Sequence, residues 1–147
     1  MLRLVSGLTA GLALFAQAAQ AASGLTVPLP DVSQLDRQQA EALIAQLARV
    51  NVITSNCPDW TITDGEWTLI TGTGDKLAAQ LGLDPATYDE KYFGPAFALL
   101  DDSAACDRIG PEAKPLIAKL EAMGGSTEPA SASADESADQ GKETATD

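Results

Sequence analysis

Hydrophobic residues recur at helical spacing in the segment that follows residue 33. Ser33-Gln34-Leu35-Asp36 is typical of a helix start, with Ser33 as the N-cap and an acid at the third helical position. The pattern weakens through residues 51–54, and Pro58 disfavours helix at Cys57. We therefore expect a first helix that begins at Ser33 and ends just before Cys57. Its apolar stripe comprises Ala40, Leu43, Ile44, Leu47 and Val50.

The stretch 60–70 fits two patterns. Asp64-Gly65 could form the turn of a hairpin that pairs flanking apolar residues. Alternatively, Thr63 caps a helix and Glu66 completes a capping box. The helical pattern continues further than a strand would, so we predict a helix from Thr63 to Leu81, closed by Gly82 in the left-handed conformation, and keep the hairpin as the alternative. The predicted face comprises Trp67, Ile70, Gly74, Leu77, Ala78 and Leu81.

Two further helices are expected downstream. Asp84-Pro85 provides a cap and a proline at the first helical position. Gly94-Pro95 should bend or break this helix. The last helix follows Gly110-Pro111 and stops at Gly124-Gly125, and regular helix is expected to start only at Pro115. The face of the third helix comprises Tyr88, Tyr92, Ala96, Leu99 and Leu100.

These elements predict a mainly α fold, a small four-helix domain over residues 33–124. Residues 22–32 contain two prolines and form an extended lead-in. From residue 125 to 147, Ser, Ala, Thr, Asp and Glu dominate, and such a composition cannot bury enough apolar surface to offset the entropy of ordering. We therefore expect a disordered acidic tail over 125–147.

The N-terminus has the pattern of a secretory signal peptide over residues 1–21. Arg3 precedes an uncharged apolar run, and Ala19 and Ala21 provide the small residues of a cleavage site. An uncleaved membrane anchor is the alternative, but the run is short for a hydrocarbon core of about 30 Å. We expect a periplasmic or secreted protein with no stable membrane anchor after cleavage.

Export changes the interpretation of the two cysteines, Cys57 and Cys106. An oxidising compartment favours a disulfide between them. A redox-active pair would more usually be Cys-x-x-Cys, and a thiol nucleophile would have no histidine to activate it. The sequence therefore predicts one structural disulfide.

The chain is strongly acidic, with 21 acidic residues against nine basic ones and a formal net charge of −12. This balance disfavours nucleic acid as a partner, because binding to phosphates depends on Lys and Arg. An envelope protein or peptide remains the expected partner, and a cationic one suits the charge.

Histidine is absent, which excludes Ser-His-Asp and Cys-His catalysis and His-based zinc sites. Carboxylate pairs are what remains for a hydrolase, and such pairs are more often a solvated face or a helix end. We therefore predict no catalytic residue, no metal site and no cofactor. The pairs are Asp64/Glu66, Asp89/Glu90 and Asp101/Asp102.

Six aromatic residues lie between the two cysteines and form either the core of this region or a binding groove. Aromatic side chains often anchor interfaces, which makes the groove the more specific hypothesis. The six are Trp60, Trp67, Tyr88, Tyr92, Phe93 and Phe97.

The middle of the chain resembles small exported alphaproteobacterial proteins of unknown function. The resemblance rests on Asn56-Cys57, Leu81-Gly82-Leu83, Ala105-Cys106 and Ile109-Gly110. It implies export and helices. In layout the chain is also similar to acid-activated periplasmic chaperones. Our expectation is a non-catalytic interaction module of the cell envelope, with an acid-activated chaperone as the alternative and a carboxylate-based hydrolase as the second alternative.

Overall fold

A computed structural model describes residues 24–130 of the chain. The predicted signal peptide at 1–21, the first two residues of the lead-in and the predicted tail from residue 131 onward lie outside this range. Within it, the protein is helical and contains no strand. None of the helices in this range is both long enough and apolar enough to cross a membrane.

The described range folds into four helical units. Helix α3 (Pro85–Tyr88), a π turn and helix α4 (Gly94–Ala98) follow one another without a break, so they form one irregular helix. Helices α5 (Ala105–Ile109) and α6 (Ala113–Ala122) are likewise joined by a 3₁₀ turn. The predicted mainly α four-helix domain is therefore confirmed. The helices are α1 Arg37–Asn56, α2 Asp64–Leu81, α3 Pro85–Tyr88, α4 Gly94–Ala98, α5 Ala105–Ile109 and α6 Ala113–Ala122; the π turn is Asp89–Phe93, and 3₁₀ turns span Pro58–Trp60, Leu99–Asp101 and Gly110–Glu112.

Helix α1 is the centre of the domain, and α2, α4, α5 and α6 all contact it. A helix that is covered on several sides has a wider apolar face than a single stripe. This explains residues 51–54, where the predicted pattern weakened: Val52, Ile53 and Thr54 are buried, and the helix continues to Asn56. The Thr54 hydroxyl donates to the Val50 carbonyl oxygen at 2.9 Å, so its burial leaves no unpaired group.

The predicted start of α1 at Ser33 is wrong, because Asp36 is the N-cap. Asp36 Oδ1 accepts from the Gln39 backbone N–H at 2.8 Å, and Gln39 Oε1 accepts from the Asp36 N–H at 3.0 Å. Ser33 instead lies in a preceding turn, where its N–H donates to Asp31 Oδ1 at 2.9 Å. Ser33 and Asp36 lie three residues apart, and either type of residue can cap a helix. Because Ser33 is part of the turn that bonds to Asp31, Asp36 is the cap.

Helix α2 confirms the helical interpretation of 60–70 and excludes the hairpin. Thr63 Oγ1 accepts from the Glu66 N–H at 3.2 Å, and Glu66 Oε2 accepts from the Thr63 N–H at 2.8 Å. Gly82 closes the helix in the left-handed region, with φ of 70°. The predicted face is partly wrong, since Trp67 is 47% exposed while Leu69 and Thr73 are buried.

The third helix begins as predicted, because Asp84 Oδ1 accepts from the Thr87 N–H at 3.0 Å and Pro85 is the first helical residue. At Gly94-Pro95 the helix does not break. Instead, the Gly94 N–H donates to the Asp89 carbonyl oxygen, five residues back. Proline lacks a donor and its ring clashes with the carbonyl one turn earlier, so widening the preceding turn accommodates Pro95 without ending the helix.

Helix α6 begins at Ala113, ahead of Pro115, where regular helix was expected to start. Pro115 lies in the first turn, in which N–H groups have no partner within the helix, so its missing donor costs nothing there. The helix ends at Ala122, and Gly124 has φ of 95°.

The Cys57–Cys106 disulfide is present and is confirmed, with a Cα–Cα distance of 5.8 Å. Cys57 is the residue that ends α1, where its N–H donates to the Ile53 carbonyl oxygen at 2.9 Å. Cys106 lies in α5. The bridge therefore ties the end of the central helix to one of the shortest helices.

The lead-in packs on the helices. Val27 and Val32 are 8% and 1% exposed, so both belong to the core. The Ser126 N–H donates to the Pro28 carbonyl oxygen at 3.0 Å, which places residues 125–130 alongside the lead-in. Lys76 Nζ donates to the Pro30 carbonyl oxygen at 2.7 Å and joins this pair of segments to α2.

Candidate functional site

Four of the six predicted aromatic residues form one cluster along the third helical unit. The ring centres of Tyr88 and Tyr92 are 6.1 Å apart, those of Tyr88 and Phe93 are 5.2 Å apart, and those of Phe93 and Phe97 are 6.4 Å apart. The two pairs that include Tyr88 have edge-to-face geometry, which aromatic quadrupoles favour. The structure therefore brings these four residues together.

The exposed part of this cluster is the Phe93–Phe97 surface, a shallow open depression. Phe97 is 54% exposed, and Phe93 is half-buried beneath it. The exposed carboxylates of Asp89 and Glu90 complete the depression. Exposure of a phenyl ring to water is unfavourable when the chain is alone. Phe97 beside the two carboxylates is therefore a candidate contact for another molecule. The surface is lined by Asp89, Glu90, Phe93, Gly94 and Phe97.

Tyr92 faces a different pocket. It is 6% exposed, and it lies with Lys91 and Arg49 around a cavity of about 220 Å³ between α1 and α4, here called the Arg49 pocket. Tyr92 and Phe93 are neighbours in the π turn and yet line separate surfaces. π turns are often found at functional positions because they redirect side chains.

Tyr88 connects the aromatic cluster to α2. Its hydroxyl fills the space in which a side chain at Gly74 would lie, so the glycine permits the close approach. Burial raises the pKa of Tyr88 to about 12, with smaller contributions from the Asp75 and Asp89 carboxylates. Tyr88 therefore has a packing role.

Trp60 and Trp67 are not brought into the cluster, and neither makes an aromatic contact among the described residues. The Trp60 ring packs flat against Gly110, where any Cβ would overlap it. Trp67 lies on the exposed side of α2. The six residues predicted as a groove are thus distributed over at least three places.

Two of the six carboxylates considered for hydrolysis have structural partners, one in each of two pairs. Glu66 belongs to the α2 capping box. Asp102 accepts from the Ala104 N–H at 2.9 Å and from Arg108 Nη1 at 2.7 Å, and these two bonds, in that order, hold its pKa below the ordinary value. Residues 24–130 contain no group of three His, Cys, Asp or Glu side chains that could hold a metal ion. Asp89 and Glu90 are the pair that remains exposed beside an apolar surface.

Arg49 and Lys91 were not among the predicted site residues. Arg49 lies between two buried residues of α1, and Lys91 lies in the π turn, so each looked like an ordinary polar position on a helix. Their proximity depends on how α4 crosses α1, which no local signal in the sequence specifies. No protein-family model, curated protein or solved structure matches this chain significantly.

Proposed function

We propose that this chain is an exported, non-catalytic interaction module of the cell envelope, and that it binds a cationic partner through the Phe93–Phe97 surface. The observation that carries the proposal is Phe97, which is 54% exposed and lies beside the carboxylates of Asp89 and Glu90. The signal peptide pattern over residues 1–21 supports export, and the disulfide is consistent with an oxidising compartment.

The chemistry of the surface specifies the partner. An apolar side chain packed over the two phenyl rings would remove their exposed faces from water, as buried aromatic anchors do in interfaces. The two carboxylates at the edge, in a chain with a net charge of −12, favour Lys or Arg beside that apolar side chain. A protein segment or peptide that combines Lys or Arg with Leu or Phe fits both requirements.

Binding of defined peptides tests this proposal. An amphipathic peptide rich in Lys and Leu should bind the full chain with an affinity that falls as salt rises, whereas the same peptide with Glu in place of Lys should not bind. Phe97→Ala should weaken binding by about 30-fold, because an anchor residue contributes about 2 kcal/mol. Asp89→Asn with Glu90→Gln should mainly slow association and flatten the salt dependence.

Trp67→Ala provides the matched control, because Trp67 is similarly exposed on another helix. Phe97 is exposed, so neither alanine variant should alter the fold, and circular dichroism checks this. Equal loss of binding in the Phe97 and Trp67 variants would assign the binding to general hydrophobicity rather than to this surface.

An acid-activated chaperone is the second candidate, and the helix caps support it. Asp84 caps the third helical unit, and its pKa is lowered first by the Thr87 hydroxyl and then by the Thr87 N–H. The Asp102 pKa is lowered as well. A carboxylate with a lowered folded-state pKa stabilises the fold above its unfolded value, and this stability is lost as pH falls through the folded value, here below about pH 4. Acid would therefore weaken the Asp84 cap at the start of the helical unit that carries the aromatic cluster, and also the hydrogen bonds of Asp102.

Aggregation assays distinguish the two candidates. A chaperone suppresses aggregation of an unfolded client between about pH 2 and 4 and not at neutral pH, in parallel with exposure of apolar surface. An interaction module binds its cationic peptide at neutral pH and needs no acid. Unimpeded client aggregation throughout the acid range would remove the chaperone candidate.

A further inference from the structure

The Arg49 pocket contains two buried hydrogen-bond donors that have no partner among the described residues. They are the Arg49 Nε–H and the Tyr92 hydroxyl. Tyr92 as a whole is 6% exposed. Native proteins leave few buried polar groups unpaired, because each such group is destabilising. Two in one pocket indicate a site for an acceptor that the described residues do not provide.

The charges around the pocket favour an anion over a neutral acceptor. Lys91 Nζ lies 5.2 Å from the centre of the Tyr92 ring. Glu112 accepts from Arg49 Nη2 at 2.6 Å, which leaves the Nε–H of the same guanidinium free. Glu41 is shared between Lys91, at 3.4 Å, and Arg37, at 3.6 Å. The lining of the pocket thus contains two cations, Arg49 and Lys91, and no carboxylate, in a chain whose net charge is −12.

We propose that the Arg49 pocket binds the carboxylate of a small organic acid. Its oxygens accept from the Arg49 Nε–H and the Tyr92 hydroxyl, and the Lys91 ammonium supplies further positive charge. Charge-assisted bonds of this kind are among the stronger hydrogen bonds in proteins. Both donor atoms are shielded from solvent, so binding requires local rearrangement of the lining, in which the side chains of Lys91 and Arg49 are 50% and 41% exposed.

Size and lining determine the class of acid. The cavity of about 220 Å³ is smaller than the sites of typical drug-sized ligands, which hold about 300–1,000 Å³. Glu41 and Glu112 lie beside the cations and repel a doubly charged phosphate more than a singly charged carboxylate. The remaining walls are apolar and suit a short aliphatic or aromatic body: Ala45, Pro95, Ala96 and Leu99.

The carboxylate could belong to a free acid or to the C-terminus of a peptide, and both can be tested by nuclear magnetic resonance on the full chain. The Arg49 Nε–Hε signal is followed during titration with benzoate and, separately, with the dipeptide glycyl-phenylalanine. Arg37 and Arg108 provide internal reference signals. We expect the Arg49 signal to move and saturate while the reference signals move little.

Variants attribute the binding to the pocket. Tyr92→Phe removes one donor without changing the ring, and should weaken binding by about tenfold. The Tyr92 hydroxyl interacts with the Lys91 ammonium, which raises the pKa of Lys91, but its hydrogen has no acceptor in the free chain. This variant should therefore stay folded, and urea denaturation checks that loss of binding does not reflect unfolding. Tyr88→Phe is the matched control in the same aromatic cluster and should bind normally. Lys91→Gln should weaken binding and reduce its salt dependence.

The outcomes separate the alternatives. Saturation by benzoate, by the dipeptide or by both supports the pocket and identifies the source of the carboxylate. Benzamide offers a carbonyl of the same shape without charge, and equal binding of benzamide would overturn the proposal of a carboxylate site. The absence of a saturable shift with either acid, or normal binding by the Tyr92→Phe variant, would overturn it as well.

Discussion

Reduction of the Cys57–Cys106 disulfide should lower the free energy of unfolding by about 4 kcal/mol. The bridged residues are 49 positions apart. In the chain-entropy treatment, closing a loop of about 50 residues removes conformational freedom from the unfolded chain that corresponds to about 4 kcal/mol at 25 °C. Small domains have total stabilities of about 5–15 kcal/mol, so reduction should leave this one marginally stable.

The structure adds a local effect to this general one. Helix α5, Ala105–Ile109, is too short to form by itself, since isolated helices need about 12–15 residues. Cys106 ties it to Cys57, the residue that ends the central helix. We therefore expect amide hydrogen exchange to accelerate in α5 before the rest of the domain on reduction.

Urea denaturation followed by tryptophan fluorescence measures the global effect. The oxidised chain should show a higher midpoint than the reduced chain, and the reduced chain a steeper dependence on urea, because its unfolded state is more expanded. Replacing both cysteines by alanine should give the reduced behaviour with and without reductant. A loss of less than about 1 kcal/mol would refute the loop-closure reasoning for this chain.

Three further predictions concern packing, capping and ionisation. Gly110→Ala should lower the free energy of unfolding by about 1–3 kcal/mol, because the new methyl group overlaps the Trp60 indole ring; the urea midpoint should fall, and an unchanged midpoint would contradict this packing. Asp36→Ala should cost about 1 kcal/mol in the same assay and Ser33→Ala close to none, and the reverse order would restore Ser33 as the cap. Tyr88 should titrate at about pH 12 by ultraviolet absorbance. Because its folded pKa is raised, the stability that it contributes is present below about pH 10 and is lost as pH rises toward 12. A Tyr88 titration near pH 10 in the folded chain would contradict its burial.

Local signals in the sequence predicted those features that depend on a few neighbouring residues. The Thr63–Glu66 capping box, the left-handed Gly82 and the Asp84-Pro85 start all formed as expected. Each arises from hydrogen bonds or steric preferences within about four residues, so no distant contact is needed. The disulfide was predictable for another reason, because a chain with two cysteines has one intramolecular pairing available.

Features that depend on tertiary contacts were missed or misplaced. The end of α1 before Cys57 was predicted, but the burial of Val52, Ile53 and Thr54 was not, because a one-sided stripe was expected and α1 is covered on several sides. Val27 and Val32 looked like parts of a separate lead-in, yet both are buried, and the lead-in is hydrogen-bonded to residues about 100 positions later, such as Ser126. No pattern within either segment specifies such contacts.

The candidate sites also combine residues that the sequence predicted with a feature that it did not, the π turn at Asp89–Phe93. The sequence grouped Tyr92 and Phe93 in one aromatic core or groove, because both lie between the two cysteines. In the structure Tyr92 lines the Arg49 pocket, and Phe93 lines the exposed surface with Phe97. One proline-dependent distortion thus supplies side chains to both proposed binding sites. Because the two sites share this segment, we expect a ligand that reorders Lys91 in the Arg49 pocket to change the affinity of the Phe93–Phe97 surface for its peptide. Linkage then requires the peptide to change the affinity of the pocket for its ligand by the same factor.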